Sequence, residues 1–158
     1  MVWRWPDMDQ LQAGLPDFLP SNYIEIMPFS QIPEPLRAAL SARGYHVPTA
    51  VQAAVIEPET HHRDLLVSAC TGSGKTVAFG LAMGLDLWGD AAAFPQAGAP
   101  SALVIAPTRE LALQVSRELT WLFAQVGARI TTCVGGMDAS RERRALYQGT
   151  HIVVGTPG

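Results

Sequence analysis

Asp64-Leu65-Leu66-Val67-Ser68-Ala69-Cys70-Thr71-Gly72-Ser73-Gly74-Lys75-Thr76 is the stretch on which the fold turns. Its first half, Asp64 to Ala69, is a short apolar run that predicts a buried strand. Its second half places two glycines before a lysine and a hydroxyl residue, and Lys75 to Trp88 continues with helical character. Strand, glycine loop and helix in that order are the context a phosphate-cradling loop requires. Gly72 and Gly74 let the backbone curl so that successive N–H groups point inward. The helix N-terminus adds the positive end of its dipole. Lys75 is then placed for the β and γ phosphates of a nucleotide, and Thr76 for a magnesium ion through its hydroxyl. Ala69, Cys70, Thr71, Gly72, Ser73, Gly74, Lys75 and Thr76 are therefore the candidate nucleotide-binding residues. Lys75 and Thr76 are the pair expected to serve catalysis, with ATP and Mg2+ as cofactors. Such a loop does not by itself distinguish ATP from GTP. Cys70 has two readings, a thiol made reactive by an anion-binding helix end or a small tolerated side chain.

Working outward, the composition bounds the rest. A chain of 158 residues with 48% apolar content suits one ordinary domain with a core. No apolar run reaches the roughly 18 residues a membrane span needs. The start, Met1-Val2-Trp3-Arg4-Trp5-Pro6-Asp7, lacks the apolar stretch of a secretory signal. Cys70 and Cys133 make no CxxC spacing, which fits free thiols and a cytoplasmic protein. The net charge of −3 gives no general case for a polyanion partner. Residues 1–28 carry Asp7, Asp9, Asp17 and Glu25 against Arg4 alone, and the remainder is balanced, so any nucleic acid must be held by local features. The single lysine, Lys75, stands among ten arginines and lies inside the glycine loop. A compact ammonium reaches between phosphates where a planar guanidinium does not fit.

Residues 1–28 hold Pro6, Pro16, Pro20 and Pro28 and read as an extension with little regular structure, from which Trp3, Trp5 and Phe18 can still pack on the body. Pro35 and Gly44 bracket a helix over Glu34–Arg43 with Leu36, Ala39 and Leu40 as its apolar stripe. A second helix starts at Thr49 as N-cap, with Ala50, Ala53 and Ala54 along one side. After the glycine loop and its helix, residues 89–100 read as a loop. Ala102–Ala106 is a strand, Arg109 to about Gln125 a helix, Arg129–Val134 a strand, Asp138–Tyr147 a helix and His151–Val154 a strand. This alternation predicts an α/β fold with a parallel sheet covered on both faces. Ligands on such sheets bind beyond the carboxyl ends of the strands. The segments after Ala69, Ala106, Val134 and Val154 all lie there.

Four further segments fall into a known order. From about Phe29 to Gly158 the chain resembles a DEAD-box RNA helicase of superfamily two. Gly44-Tyr45-His46-Val47-Pro48-Thr49-Ala50-Val51-Gln52 is similar to that family's Q motif. Pro107-Thr108-Arg109-Glu110-Leu111-Ala112-Leu113-Gln114 is similar to its motif Ia, Gly135-Gly136 to its GG element, and Thr156-Pro157-Gly158 to the start of motif Ib. The resemblance implies a P-loop NTPase with a RecA-like sheet, divided into an extension (1–28), a Q-motif helical region (29–57) and a partial ATP-binding domain (58–158). It implies that Gln52 pairs with an adenine edge, for which its amide is suited, that Thr49 belongs to the same site, and that Phe29 stacks on the base. It implies that Pro107, Thr108, Arg109, Gly135, Gly136, Thr156, Pro157 and Gly158 contact the backbone of a single RNA strand. Thr108 as a helix cap and Arg109 as a charge suit that task, although the same residues also describe an ordinary helix start. Gly135-Gly136 permits close approach of a sugar-phosphate chain or makes a simple turn. Arg141, Arg143 and Arg144 read as a solvated helix face or as further RNA contacts. Backbone contacts position a strand without reading its sequence.

The resemblance also implies parts that this sequence lacks: an arginine after Gly158, the Asp-Glu-Ala-Asp box, a Ser-Ala-Thr element and a second RecA-like domain. On that reading the chain is an incomplete piece of an ATP-dependent RNA helicase. A non-catalytic adenine-nucleotide-binding fragment and a DNA-directed helicase fragment are the alternatives. The strand at Asp64–Ala69 is then expected across a two-strand gap from the other three.

Overall fold

Three of the five α-helices among the described residues begin at a side-chain cap. Residues 29–88 and 93–157 are described by the computed structural model. The extension 1–28, with Trp3, Trp5 and Phe18, and Gly158 lie outside the described residues. Helix α1 (Glu34–Ala42) opens with Pro35 in its first turn and buries Leu36, Ala39 and Leu40, the three positions its periodicity selects. Helix α2 (Ala50–Val55) is held by a capping box: the Gln52 backbone N–H donates to Thr49 Oγ1, and Gln52 Oε1 accepts from the Thr49 N–H at 3.0 Å. The box draws Gln52 inward, so the buried side of α2 is Gln52 and Val55, not the alanines expected to line it. Helix α3 (Lys75–Trp88) follows the glycine loop. Helix α4 (Arg109–Leu122) is capped by Thr108, whose Oγ1 accepts from the Leu111 N–H at 3.2 Å. It gives way to a 3-10 turn over Ala124–Val126, ended by Gly127 at φ +70°. Helix α5 (Ala139–Tyr147) is capped by Asp138, which accepts from the N–H groups of Ser140 and Arg141.

Strands β1 (Ala102–Ile105), β2 (Ile130–Cys133) and β3 (Ile152–Gly155) form one parallel sheet in the order β1-β3-β2. Leu103, Val153 and Thr131 share one row, and Val104, Val154 and Thr132 the next. The crossovers β1–α4–β2 and β2–α5–β3 run in opposite directions along the sheet, so the right-handed rule puts α4 and α5 on opposite faces. Ile152 and Val154 face the main core with Leu119, Leu122 and Phe123 of the α4 region, Leu81 of α3 and Leu36 and Leu40 of α1. The other face is covered unevenly, and Leu103 and Ile105 of β1 remain 64% and 63% exposed.

Residues 64–69 differ from the sequence expectation in one respect. They form no strand and join no sheet among the described residues. Leu65, Leu66 and Val67 are exposed, Leu66 at 85%. A strand exists only with a ladder partner, and this segment has none, so an apolar run that suits a buried strand stays unpaired.

Two buried polar residues tie the sheet to the 89–100 connection. His151 accepts the Arg129 N–H on Nδ1 at 2.8 Å, and its Nε2 lies 2.8 Å from the Pro95 carbonyl. The first contact makes Nδ1 the acceptor, so Nε2 carries the proton and donates. Thr150 Oγ1 donates to the Arg129 carbonyl at 2.8 Å. Gly149, at φ +86°, lies so close to Ala97 that a Cβ there would sit 2.3 Å from the Ala97 carbonyl oxygen.

Candidate functional site: a phosphate loop and a row of strand ends

Gly72 and Gly74 adopt φ +82° and +80°, the left-handed region in which a side chain is strained. They curl Ala69–Thr76 into the N-terminus of α3. Lys75 folds back over the loop: its Nζ donates to the carbonyls of Ala69 and Cys70, both at 2.6 Å. The ammonium is thus already held inside the curl. Ser73 Oγ is buried with no hydrogen-bond partner. An orphaned hydroxyl in a loop that also holds the Lys75 ammonium and opens a helix fits an anionic ligand.

The loop is fastened to α2. Thr49 Oγ1 donates to the Ser73 carbonyl at 2.8 Å, and Gln52 Nε2 donates to the Gly74 carbonyl at 3.4 Å. A Cβ on Gly74 would lie 2.5 Å from Gln52 Nε2, so Gly74 is required by its neighbour as well as by its φ. Thr49 and Gln52 therefore meet the phosphate loop directly, a contact that spacing along the chain does not reveal. Gln52 is fully buried. Its amide spends one donor on Gly74 and one acceptor lone pair on Thr49, keeping one of each. Phe29 sits in the core at 4% exposure beside Ile32 and Leu36. Its ring is occupied by apolar packing, which leaves no face for a base to stack on as the side chains stand.

A second cluster lies at the carboxyl ends of the sheet. Pro107 to Arg109 follows β1, Gly135 and Gly136 follow β2, and Thr156 and Pro157 follow β3. The ends are cross-linked: the Thr156 N–H donates to the Cys133 carbonyl at 3.2 Å and the Gly135 N–H to Thr156 Oγ1 at 3.4 Å. The Val134 N–H donates to Glu142 Oε1 at 3.0 Å, which ties α5 to the same corner. Burial, and secondarily the Glu142 carboxylate, push the Cys133 thiol above its ordinary range. The Arg109 guanidinium lies against Gly136, where a Cβ would be 2.9 Å from Nη1. Arg109, Gly135, Gly136 and Pro157 are exposed, as are Arg141, Arg143 and Arg144 on α5. The sequence pointed to these residues separately. The Arg109–Gly136 and Val134–Glu142 contacts emerge only when the strands stand side by side.

No helix among the described residues is long and apolar enough to cross a membrane, and none of their His, Cys, Asp and Glu side chains cluster as a metal site. A single threonine hydroxyl beside a phosphate is a different arrangement, in which the ligand itself supplies most of the oxygens.

Comparison with known proteins fits this geometry. The family model described as DEAD/DEAH box helicase matches residues 49–158. The DEAD-box ATP-dependent RNA helicase CshA of Bacillus licheniformis is 39% identical over 128 residues, covering 81% of this chain and 25% of that protein. The ATP-dependent RNA helicase DeaD of Escherichia coli is 42% identical over 125 residues, covering 78% of this chain and 19% of that one. The crystal structure of the RNA helicase Prp28 from Chaetomium thermophilum bound to ADP superposes with a TM-score of 0.69 at 35% identity, covering 80% of this chain and 31% of that one. The chain thus spans a quarter or less of the length of these two curated relatives. The matched segment, the sheet with its helices and the glycine loop on α3 agree, and the chain belongs to the DEAD/DEAH box helicase family.

Proposed function

We propose that this chain is the ATP-binding portion of an ATP-dependent RNA helicase, one that couples ATP hydrolysis to unwinding of RNA duplexes or remodelling of RNA–protein assemblies. The observation that carries the reading is the attachment of the phosphate loop to α2 through Thr49 and Gln52. It joins a phosphate site to an amide that suits adenine. Lys75 holds the β and γ phosphates, Thr76 ligates the Mg2+ that travels with ATP, and the N–H groups of residues 70–76 line the cradle. Gln52 offers its remaining donor to adenine N7 and its remaining acceptor to the N6 amine. Since Gln52 is buried, its cover must shift for the base to reach it. The row of strand ends, with Thr108, Arg109, Gly135, Gly136, Thr156 and Pro157, takes the backbone of a single RNA strand without reading its sequence. Phosphoryl transfer depends on positioned charge around the γ-phosphate, so turnover calls on a second RecA-like domain to close over the nucleotide. On this reading the protein works in the cytoplasm, and residues 1–28, 29–57 and 58–158 are its extension, adenine-recognition segment and phosphate-binding body.

The test is nucleotide competition on the intact gene product, together with RNA-stimulated ATP hydrolysis. The expected outcome is a preference for ATP over GTP that Gln52→Ala reduces, roughly tenfold or more, because discrimination by paired polar groups is steep. Equal binding of ATP and GTP by the unaltered protein, or hydrolysis indifferent to RNA, overturns the proposal.

A further inference from the structure

The two glycines after β2 are not equivalent. Gly135 has an ordinary φ, and a Cβ built on it meets nothing within 4 Å. Gly136 has φ +78°, and a Cβ there would fall 2.9 Å from Arg109 Nη1, 3.4 Å from Cζ and 3.8 Å from Nη2. All three distances are to the guanidinium, so the space left by the missing side chain is where that group rests. Arg109 stands at the first position of α4, beyond β1, while Gly136 stands beyond β2 with β3 between them. An arginine stem reaches across the middle strand's end to a bare backbone.

We propose that Gly136 is a positioning residue for Arg109: its lack of a side chain seats the guanidinium across the strand ends and fixes the direction of its donors. The proposal deepens the RNA-backbone reading and rests on it for its functional consequence. An exposed arginine has many rotamers, and holding it in one costs side-chain entropy at the moment of binding. A seat formed in advance removes part of that cost. The clash on substitution is with the far end of a flexible side chain, so the arginine yields and the fold does not. Gly136→Ala therefore displaces Arg109 and adds left-handed strain. Gly127, at φ +70° with nothing within 4 Å of its built Cβ, supplies a control that carries the strain alone.

The experiment measures single-stranded RNA binding against salt concentration for Gly136→Ala, Gly127→Ala, Arg109→Ala and the Arg109→Ala/Gly136→Ala double variant in the intact gene product. It also records the Arg109 Nε–Hε NMR signal without RNA. Gly136→Ala is expected to weaken binding roughly tenfold, as Arg109→Ala does, and to make the salt slope shallower by about 0.7 to 1. The double variant should bind no worse than Arg109→Ala, and Gly127→Ala should stay within about twofold of the unaltered protein. The Nε–Hε signal should move or broaden in Gly136→Ala only. A further loss of threefold or more in the double variant, a loss from Gly127→Ala as large as that from Gly136→Ala, or an unmoved Nε–Hε signal overturns the seat. If Arg109→Ala leaves RNA binding unchanged, the assignment of Arg109 to RNA fails instead, and the NMR signal still decides whether Gly136 positions it.

Discussion

On the proposed reading, Lys75 is a side chain already placed for a phosphate. Its ammonium is held by two loop carbonyls at 2.6 Å, so an arriving phosphate exchanges weak neutral acceptors for charged oxygens. The bonds to the carbonyls are charged on one side only, whereas a phosphate oxygen adds a full opposite charge, so on the proposed reading the exchange favours the nucleotide. Lys75→Ala should weaken ATP and ADP by about 1.5–3 kcal/mol, read by isothermal titration. Unchanged affinity for both removes Lys75 from the site. The two thiols make a second prediction at this scale. Cys70 is exposed within the phosphate loop, whereas burial and Glu142 keep Cys133 protonated to higher pH than an ordinary thiol. The thiolate is the reactive form. Maleimide should label Cys70 first, and ATP with Mg2+ should slow that labelling alone. Faster labelling of Cys133, or protection of neither, contradicts the placement of the loop. The curl of the loop was legible in the sequence because Gly72 and Gly74 supply a positive φ that other residues rarely adopt. The burial of Phe29 was not legible, because an aromatic ring suits a base and a core equally well and only packing shows that this one lies in the core.

At the scale of elements, caps and stripes could be read directly. Thr49, Thr108 and Asp138 start helices, and Leu36, Ala39 and Leu40 are buried as their spacing requires. The strand at 64–69 could not, because apolar periodicity reports what a segment would bury and not whether a partner is at hand. Close packing of two helices was equally invisible. Gly80 of α3 lies where a Cβ would meet Leu122 Cδ2 at 2.7 Å and Leu119 Cδ2 at 3.0 Å. Alanine gains about 1 kcal/mol in helix propensity over glycine, while overpacking a filled interface costs about 1–3 kcal/mol. Both leucines are buried and have little room to yield, so overpacking wins. Gly80→Ala should lower the urea midpoint of unfolding of the intact gene product. A raised midpoint would mean that α3 and α4 slide apart freely.

At the scale of the molecule, the described residues present two exposed apolar borders. Leu65, Leu66 and Val67 lie along one, and Leu103 and Ile105 belong to β1 at the other, an edge strand whose outer ladder groups are unpaired. Edges of this kind invite pairing with other chains, and a domain's total stability is only about 5–15 kcal/mol. Residues 1–158 expressed alone should melt without a sharp transition and associate as concentration rises. Light scattering and calorimetry check this. A concentration-independent monomer with a cooperative melt would show that the borders are harmless.

The strand order carries a consequence for synthesis. β1 and β2 never touch, and each pairs only with β3, the last of the three to leave the ribosome. Until Ile152–Gly155 emerges, two finished strands wait with no ladder to join, and every pairing in the sheet closes across many residues. The nascent sheet thus depends on β3 as an arch depends on its keystone. A pause in translation anywhere between β1 and β3 prolongs the interval in which a chaperone has something to hold.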